Sequence, residues 1–207
     1  MKLLIAIPTL DYIHAEFVKS LLALKDRLTA DGIEHDVRIQ SGTLVYAARD
    51  KLADVAINEG FTHVLWLDSD MVFTEGIVDD LSFCGQDFVT GIAHSRRFPY
   101  VSCIFHNLNP IVRHEGAQYP NRPFQINGCG FACVFMKTDC LRNVKQRFGT
   151  CFLPLAEYGE DLAFCKRFTD IGGKIYADPA VQVGHIGHIA IYPGDVETLS
   201  GGLVNGC

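Results

Sequence analysis

Apolar positions in the first third of the chain follow two patterns, which are continuous runs and a spacing of three or four residues. Continuous apolar runs at Lys2–Ile7 and Val64–Leu67 are typical of strands that are buried on both faces of a parallel sheet. Between Phe17 and Leu28 the apolar residues recur every three or four positions, which predicts a helix with one face against that sheet. Asp11 precedes this helix and is predicted to cap its N-terminus.

Two further elements complete the N-terminal pattern. Asp36–Gln40 alternates between polar and apolar residues and predicts a short strand, and Val45–Asn58 predicts a helix that ends at Gly60. The resulting order is β-α-β-α-β. Short connections between such elements favour a parallel, right-handed, doubly wound sheet.

The second half of the chain predicts a mixture of strands, helices and one long loop. The loop runs from Asn107 to Pro123, and loops of this length are typically lids or binding loops. Gln125–Met136 is apolar and β-rich but contains Gly128 and Gly130, which indicate a bulge or a close approach of the backbone. The other predicted elements are a helix at Glu75–Phe83, strands at Asp87–Ala93 and Tyr100–Phe105, helices at Thr138–Gln146 and from Gly159, and a strand at Lys174–Ala177.

Composition narrows the class of protein. The 207 residues are 48% hydrophobic and 20% charged, which suits a folded chain with a full core. We see no linker, and we predict a single domain at residues 1–188 followed by a poorly ordered tail at 189–207. The net charge of −6 argues against binding to a nucleic-acid backbone, which relies on a basic surface. It is compatible with one phosphate-bearing small molecule held by a metal.

The cysteines and the N-terminus bear on the compartment. Most of the eight cysteines lie in apolar stretches, as small buried residues do, and no two pairs have metal-finger spacing. A few disulfides in a secreted protein are the alternative. The apolar N-terminus is broken by Pro8 and lacks a cleavage pattern, so it predicts a strand rather than a signal peptide. No apolar stretch approaches the ~20 residues of a membrane span. We therefore expect a soluble, reduced, cytoplasmic protein.

The most informative polar residues follow the apolar run Val64–Leu67. Asp68 and Asp70 are two positions apart, so in an extended chain they project to one side while Ser69 points away. Ligands of open α/β sheets bind at the carboxyl ends of the strands. Two adjacent carboxylates repel each other unless a cation lies between them or one is protonated, and a hard divalent ion carrying a phosphate suits them. The alternative is an ordinary turn in which both carboxylates cap or solvate the loop.

Three other groups of polar residues are candidates for the same site. Arg49 has no acidic neighbour three or four positions away, so it needs an anion from elsewhere unless it snorkels past the sheet edge. Glu160 and Asp161 begin a helix, where the helix dipole alone also favours acids. His185 and His188 follow a strand end and are candidate metal ligands.

In this order, the motifs resemble those of glycosyltransferases with the GT-A fold, of the family-2-like kind, over roughly residues 1–188. The resemblance implies an α/β fold with a Rossmann-like, mostly parallel sheet flanked by helices. It also implies transfer of a sugar from a UDP- or GDP-sugar to an acceptor hydroxyl. We expect inversion at the anomeric carbon, with retention as the alternative that the sequence leaves open. The motifs that carry it are Ile7-Pro8-Thr9, Ala48-Arg49-Asp50, the "DxD" Asp68-Ser69-Asp70, Gly128-Cys129-Gly130-Phe131, Gly159-Glu160-Asp161 and His185-Ile186-Gly187.

The resemblance implies roles for individual residues. Asp70 and His185 would hold Mn²⁺ or Mg²⁺ on the donor diphosphate, although His188 leaves the choice of histidine open. Donor and nucleotide binding would fall on Pro8, Thr9, Arg49, Asp68, Ser69 and Asp70.

The acceptor side follows from the same resemblance. Asp161 would be the general base, preferred over its catalytic neighbour Glu160 because the family pattern favours the second acid. Gly128 and Gly130 are acceptor-side candidates. The chain is short, so its acceptor-binding part is minimal, and neither the donor sugar nor the acceptor can be carried over.

Two other interpretations remain. Asp68-Ser69-Asp70-Met71-Val72 also fits the nucleophile motif of haloacid-dehalogenase-type phosphatases, although those enzymes carry it on the first strand and use a lysine in phosphate hydrolysis. A non-catalytic module that binds nucleotide sugars would keep Asp70 but would need no general base.

Overall fold

The computed structural model describes residues 1–114, 119–187 and 190–191. In chain order the elements of these residues are β1 (Lys2–Pro8), α1 (Ala15–Ala30), β2 (Glu34–Gln40), α2 (Val45–Asn58), β3 (His63–Leu67), β4 (Met71–Val72), α3 (Ile77–Phe83), β5 (Phe88–Ile92), β6 (Ile104–Leu108), β7 (Ile111–Arg113), β8 (Phe124–Ile126), β9 (Gly128–Cys129), β10 (Cys133–Lys137), α4 (Thr138–Phe148), α5 (Glu160–Asp170), β11 (Ile175–Gln182), β12 (Gly184–Ile186) and β13 (Ala190–Ile191).

The central sheet has seven strands in the order β2-β1-β3-β10-β5-β11-β8. β1 pairs in parallel with β2 and β3, and β11 pairs in parallel with β5. β10 lies antiparallel between β3 and β5, and β8 is antiparallel at the edge. Five of the seven strands therefore run in one direction, which confirms the predicted α/β fold with a mostly parallel sheet. The reversed strand at the centre was not predicted.

Helices cover both faces of the sheet because its inner strands are apolar on both faces. Leu3, Ile5 and Ile7 of β1 pack on one face with the apolar side of α1 and with α3. Leu4 and Ala6 point to the other face, where α2, α4 and α5 enclose a core rich in aromatic rings. The core on that face includes Trp66, Phe88, Phe131, Phe152, Phe164 and Phe168.

Several predicted boundaries need correction. The strand expected at Tyr100–Phe105 begins only at Ile104, and the loop expected from Asn107 contains the end of β6 and the whole of β7, which pair as a hairpin. The stretch Gln125–Met136 is divided among β8, β9 and β10, of which β8 and β10 belong to the central sheet and β9 to a small one. The predicted cap Asp11 is also wrong, because α1 begins after His14 and has no side-chain cap.

Small sheets complete the edge of the molecule near the carboxyl end of β3. β12 pairs antiparallel with both β4 and β13, and β6 pairs antiparallel with β7 and β9. Ala190–Ile191 of the predicted tail thus forms a strand, whereas residues 192–207 and His188 lie outside the described residues. No helix in the described part of the chain is long and apolar enough to cross a membrane.

Candidate active site

The segment Asp68-Ser69-Asp70 forms a turn between β3 and β4. The Asp68 N–H donates to the carbonyl of Ala132 (3.1 Å), and the Met71 N–H donates to the carbonyl of Asp68 (3.3 Å). The predicted extended geometry is therefore wrong. The two carboxylates nevertheless line one cleft. Within this cleft, Asp68 and Asp70 contact different partners.

The loop after β1 is tied to this turn by hydrogen bonds. The Thr9 hydroxyl donates to the carbonyl of Tyr12 (2.9 Å), and the Ser69 hydroxyl donates to Thr9 Oγ1 (3.1 Å). The His14 N–H donates to the carbonyl of Ser69 (3.2 Å). Ser69, which an extended chain would have turned away from the aspartates, thus joins the loop and the turn into one wall. Pro8 and Thr9 lie on that wall.

Arg49 is buried beneath the cleft, with 2% of its surface exposed. Its Nη2 donates to Asp68 Oδ1 (2.8 Å), which confirms the prediction that it pairs with a distant anion. Its Nε lies 3.7 Å from Glu160 Oε1, and its guanidinium carbon lies 5.3 Å from the centre of the Phe131 ring. Burial raises the pKa of Asp68, and the adjacent Arg49 charge opposes that rise. Arg49 therefore links a carboxylate of the turn to one of α5.

Asp70 has an arginine and a histidine as neighbours at the same oxygen. Its Oδ2 forms an ion pair with Arg96 Nη1 and lies 3.3 Å from His185 Nε2. Burial alone would raise the pKa of Asp70, but the hydrogen bond and charge of His185, together with Arg96, hold it below its ordinary value. His185 Nδ1–H donates to the carbonyl of His94 (2.8 Å), which fixes the orientation of the imidazole ring.

Asp161 lies in the first turn of α5, in the same cleft. Burial and the neighbouring Glu160 raise the pKa of Asp161 to about 6, even though its Oδ1 accepts a 2.7 Å hydrogen bond from the Leu162 N–H. The effect of the helix N-terminus, which favours the ionised form, is therefore outweighed. Asp161 forms no ion pair among the described residues, whereas Glu160 faces Arg49.

The two candidate glycines have different surroundings. A Cβ at Gly130 would lie 3.6 Å from Asp161 Oδ2, at ordinary van der Waals distance, so this glycine lies directly beside the carboxylate. A Cβ at Gly128 would lie 2.9 Å from Leu108 Cδ2 and 3.2 Å from Leu162 Cδ2. Gly128 is thus a packing position beneath α5 and does not line the cleft.

The cleft has a volume of about 690 Å³ and lies at the carboxyl ends of β1 and β3. It brings together every predicted site residue except Gly128 and His188, the latter being outside the described residues. Other lining residues were not assigned from the sequence, and they include Leu10, Asp11, Tyr12, His14, Val45, Arg96, Cys103, Phe131 and Ala132. The sequence could have indicated Arg96 as a site residue, because it follows the end of a predicted strand. Nothing in the sequence marks the loop residues in this way. Within the described ranges no three His, Cys, Asp or Glu side chains are grouped to hold a metal by themselves.

Comparison with known proteins supports the fold. No protein-family model matches the sequence, and no curated protein matches it either. Among solved structures, A197 from STIV aligns with a TM-score of 0.63 and 23% identity, over 94% of this chain and 91% of that one. The catalytic domain of Drosophila beta1,4-galactosyltransferase 7, solved as a complex with xylobiose, aligns with a TM-score of 0.52 and 12% identity, over 86% of this chain and 64% of that one. At these identities the comparisons establish a GT-A-like fold.

Proposed function

We propose that this chain, which has a GT-A-like fold, transfers a sugar from a UDP- or GDP-sugar to an acceptor hydroxyl with inversion and with the help of Mn²⁺ or Mg²⁺. One observation carries the proposal. A single cleft contains the paired carboxylates Asp68 and Asp70 and, near them, the Asp161 carboxylate, which has no ion-pair partner among the described residues. These groups match the two needs of the reaction, which are a binding site for a diphosphate and a base for the acceptor.

The donor side is formed by the wall that joins the loop after β1 to the turn after β3. Pro8 and Thr9 lie at the carboxyl end of β1, where α/β sheets bind nucleotides, and we assign them to the base. Asp68 accepts hydrogen bonds through a carboxylate that Arg49 holds in place. We assign Asp68 to the ribose or sugar hydroxyls of the donor.

The pair of Asp70 and His185 fits a divalent ion. A carbonyl can only accept a hydrogen bond, so the contact with the His94 carbonyl puts the proton of the neutral ring on Nδ1. In that neutral ring Nε2 presents a lone pair to Asp70 Oδ2 at 3.3 Å, whereas the proton that the raised pKa of His185 favours makes Nε2 a donor to the same oxygen. Two acceptors at this separation need a proton or a metal between them. Neighbouring ligands of an octahedral ion, with bonds of about 2.1 Å, are about 3 Å apart.

The ion would take its other ligands from the diphosphate and from water, which agrees with the lack of a third protein ligand among the described residues. A bound Mn²⁺ or Mg²⁺ neutralises the negative charge that develops on the leaving diphosphate. Because Asp70 and His185 would hold the ion, its positive charge would lie beside the donor diphosphate and not beside Asp161.

Asp161 is suited to accept the proton of the acceptor hydroxyl. A general base works best when its pKa lies near the working pH, and Asp161 combines a pKa of about 6 with an unpaired carboxylate. Glu160 faces Arg49, and its charge raises the pKa of Asp161. We therefore assign the role of general base to Asp161 and not to Glu160. Gly130 and Asp161 line the cleft together, and we assign the approach of the acceptor hydroxyl to this part of it.

The phosphatase interpretation receives less support. Asp68 follows the third strand rather than the first, and the lining of the cleft includes two arginines but no lysine among the described residues. The ion pair with Arg49 also occupies the carboxylate that would serve as the phosphatase nucleophile.

Sugar transfer by Asp161→Asn tests the proposal. We expect the transfer rate to fall by roughly 10²–10⁴-fold, the usual contribution of a positioned general base, while donor binding changes little. The matched control is Asp139→Asn, which alters an exposed aspartate in the first turn of α4. Near wild-type transfer by Asp161→Asn, or a product with retained anomeric configuration by NMR, would remove Asp161 as the base. A protein that binds donors but never transfers sugar would be a binding module.

The metal is tested by calorimetry of nucleoside diphosphate binding in Mn²⁺ and in EDTA. We expect weak binding in EDTA, and loss of the metal-dependent part in Asp70→Ala. His185→Ala should weaken Mn²⁺ binding more than His188→Ala does. Equal affinity in EDTA and Mn²⁺ would contradict metal dependence, and the opposite ranking of the histidines would move the ligand to His188.

A further inference from the structure

We propose that Arg96 competes with the divalent ion for Asp70 and, once displaced by it, binds the diphosphate of the donor. The inference rests on the proposed function, because it requires both a divalent ion and a diphosphate in this cleft. It assigns to Arg96 a part in ordering the arrival of ion and donor.

Arg96 is presented to the cleft by a closed loop after β5. The Ser95 N–H donates to the carbonyl of Val101 (2.9 Å), and the Val101 N–H donates to Ser95 Oγ (3.1 Å). The Ser95 hydroxyl also lies 3.0 Å from the carbonyl of Arg97. The base of the loop is thus fixed, while the Arg96 side chain is 48% exposed at the rim of the cleft.

The contact of Arg96 is on the oxygen that the ion needs. Its Nη1 pairs with Asp70 Oδ2, and that oxygen is the one 3.3 Å from His185 Nε2. An ion held between Asp70 and His185 would stand within a few ångströms of the guanidinium, and two cations at that separation repel each other. Arg96 is the group that can move, since its side chain is long and half exposed whereas His185 is anchored to the His94 carbonyl.

The displaced guanidinium has a suitable new partner in the diphosphate of the donor. It remains at the rim of the cleft beside the ion, where the donor would place its anionic oxygens. The planar fork of arginine matches phosphate oxygens in a bidentate manner, and the resulting charge-assisted hydrogen bonds are among the stronger ones in proteins. Arg96 therefore opposes binding of the ion alone and favours binding of the ion together with a diphosphate.

These two effects have opposite signs, which makes the inference testable by calorimetry. Mn²⁺ alone, and then UDP and GDP at saturating Mn²⁺, are titrated into the wild type, Arg96→Ala, Arg96→Lys and Arg97→Ala. We expect Arg96→Ala to bind Mn²⁺ alone roughly twofold to fivefold more tightly, because the competing exposed ion pair is removed. We expect it to bind the diphosphate roughly tenfold or more weakly, because a hydrogen-bonded charge is lost.

The two other variants separate this role from general effects of charge or folding. Arg97 is the adjacent cation, but its side chain neither lines the cleft nor forms an ion pair among the described residues. Arg97→Ala should therefore leave both affinities unchanged. Arg96→Lys keeps the charge without the planar fork, so it should bind Mn²⁺ as the wild type does and the diphosphate with intermediate affinity. Thermal melts of all variants check that each is folded.

The outcomes distinguish this inference from the proposed function. If the wild type shows metal-dependent diphosphate binding, and Arg96→Ala changes both affinities in the same direction, or neither, then the role of Arg96 is wrong and the proposed function stands. The role of Arg96 is equally wrong if Arg97→Ala behaves like Arg96→Ala. If the wild type binds diphosphate equally in Mn²⁺ and EDTA, both proposals fail.

Discussion

Three aspartates in the cleft have different electrostatic surroundings. Asp68 is paired with a buried arginine, Asp70 faces a histidine and an exposed arginine, and Asp161 has no cation at ion-pair distance among the described residues. The pKa of Asp70 is lowered, whereas the pKa values of Asp68 and Asp161 are raised by burial. Carboxylates whose pKa values are pushed apart typically divide the roles of charge stabilisation and proton transfer between them.

The raised pKa of Asp161 makes its effects on activity and on stability opposite in sign. Folding raises the pKa from 3.8 to about 6, so between these values the folded state binds more protons than the unfolded state. Stability from this group is therefore full below pH 4 and is lost as the pH rises through 6. We expect Asp161→Asn to raise the free energy of unfolding at pH 7 by about 1–3 kcal/mol, measured by denaturant titration, while transfer falls.

The same titration predicts the pH profile of the wild type. Transfer should fall as the pH drops through about 6, because Asp161 then becomes protonated and no longer accepts the proton of the acceptor. The profile of kcat/KM against pH measures this limb. A limb that persists unchanged in the residual activity of Asp161→Asn would assign it to another group.

The two glycines provide a matched pair of substitutions. Gly130→Ala adds a methyl group at ordinary contact distance from its neighbours but beside Asp161, so transfer should fall by roughly tenfold with little change in stability. Gly128→Ala forces its methyl group against Leu108 and should destabilise the fold by about 1–3 kcal/mol. Thermal melts and transfer assays on both variants check this. Equal effects of the two on transfer would show that Gly130 has no special relation to the acceptor.

At the residue scale, the sequence was informative where a charged residue lacks a partner of opposite charge nearby in the chain. Arg49, without a local acid, was correctly expected to find a distant anion, and the structure supplies Asp68. The direction of the Asp161 pKa shift was not predictable, because it depends on burial by segments remote in sequence. The hydrogen bonds of Ser69 were missed for a related reason, since they form only when two separate loops meet.

At the element scale, helix α2 joins the core of the cleft to the loop that precedes α5. One turn of α2 carries both Arg49 and Asp50. Asp50 accepts hydrogen bonds from the Thr150 hydroxyl (2.6 Å) and from the N–H groups of Cys151 and Phe152 (2.9 Å each). This loop leads into the helix that carries Glu160 and Asp161, so Asp50 acts on the site by fixing α5.

Removing this anchor should cost far more than removing the next aspartate of the same helix. Asp50→Ala leaves two backbone N–H groups without their acceptor and should destabilise the protein by about 2–4 kcal/mol. The control Asp54→Ala removes only a half-exposed ion pair with Lys145 and should cost less than about 1 kcal/mol. Denaturant titration measures both values. Equal costs would mean that the loop is held by its apolar contacts instead.

The sequence predicted the bounds of an element well where a single buried face determines the spacing of its apolar residues. α2 has the predicted bounds, because its apolar stripe faces a single core. The stretch Gln125–Met136 was harder, since its apolar run continues through three strands that are divided between two sheets. Periodicity reports burial, but it does not report which partner a strand chooses. The antiparallel position of β10 is a long-range choice of this kind.

At the scale of the whole molecule, the cysteines test how well the core excludes solvent. The seven cysteines among the described residues are free thiols, and five of them are buried. Burial raises the pKa of Cys133, Cys140 and Cys151 to about 12, which leaves little reactive thiolate at neutral pH.

Alkylation of the native protein should therefore modify Cys84 and Cys103 before the buried thiols, which should react fully only in denaturant. Intact mass measured before and after unfolding checks this order. Several native disulfides in freshly prepared protein would contradict the predicted reducing, cytoplasmic environment. Rapid native modification of Cys133, Cys140 or Cys151 would show that the core opens more easily than its packing indicates.

The central position of β10 has a consequence for how the protein is made. The strand is synthesised long after β3 and β5, yet it supplies the hydrogen bonds that join them. Until residue 137 has left the ribosome, β3 has one unpaired apolar edge and β5, whose other partner β11 is synthesised later still, has two. Such edges are the kind of surface that recruits other chains. Chaperone dependence during translation should accordingly centre on this interval, since pairing between distant segments is slow. β10 is thus the late strand that joins β3, and the donor wall beside it, to the other half of the sheet.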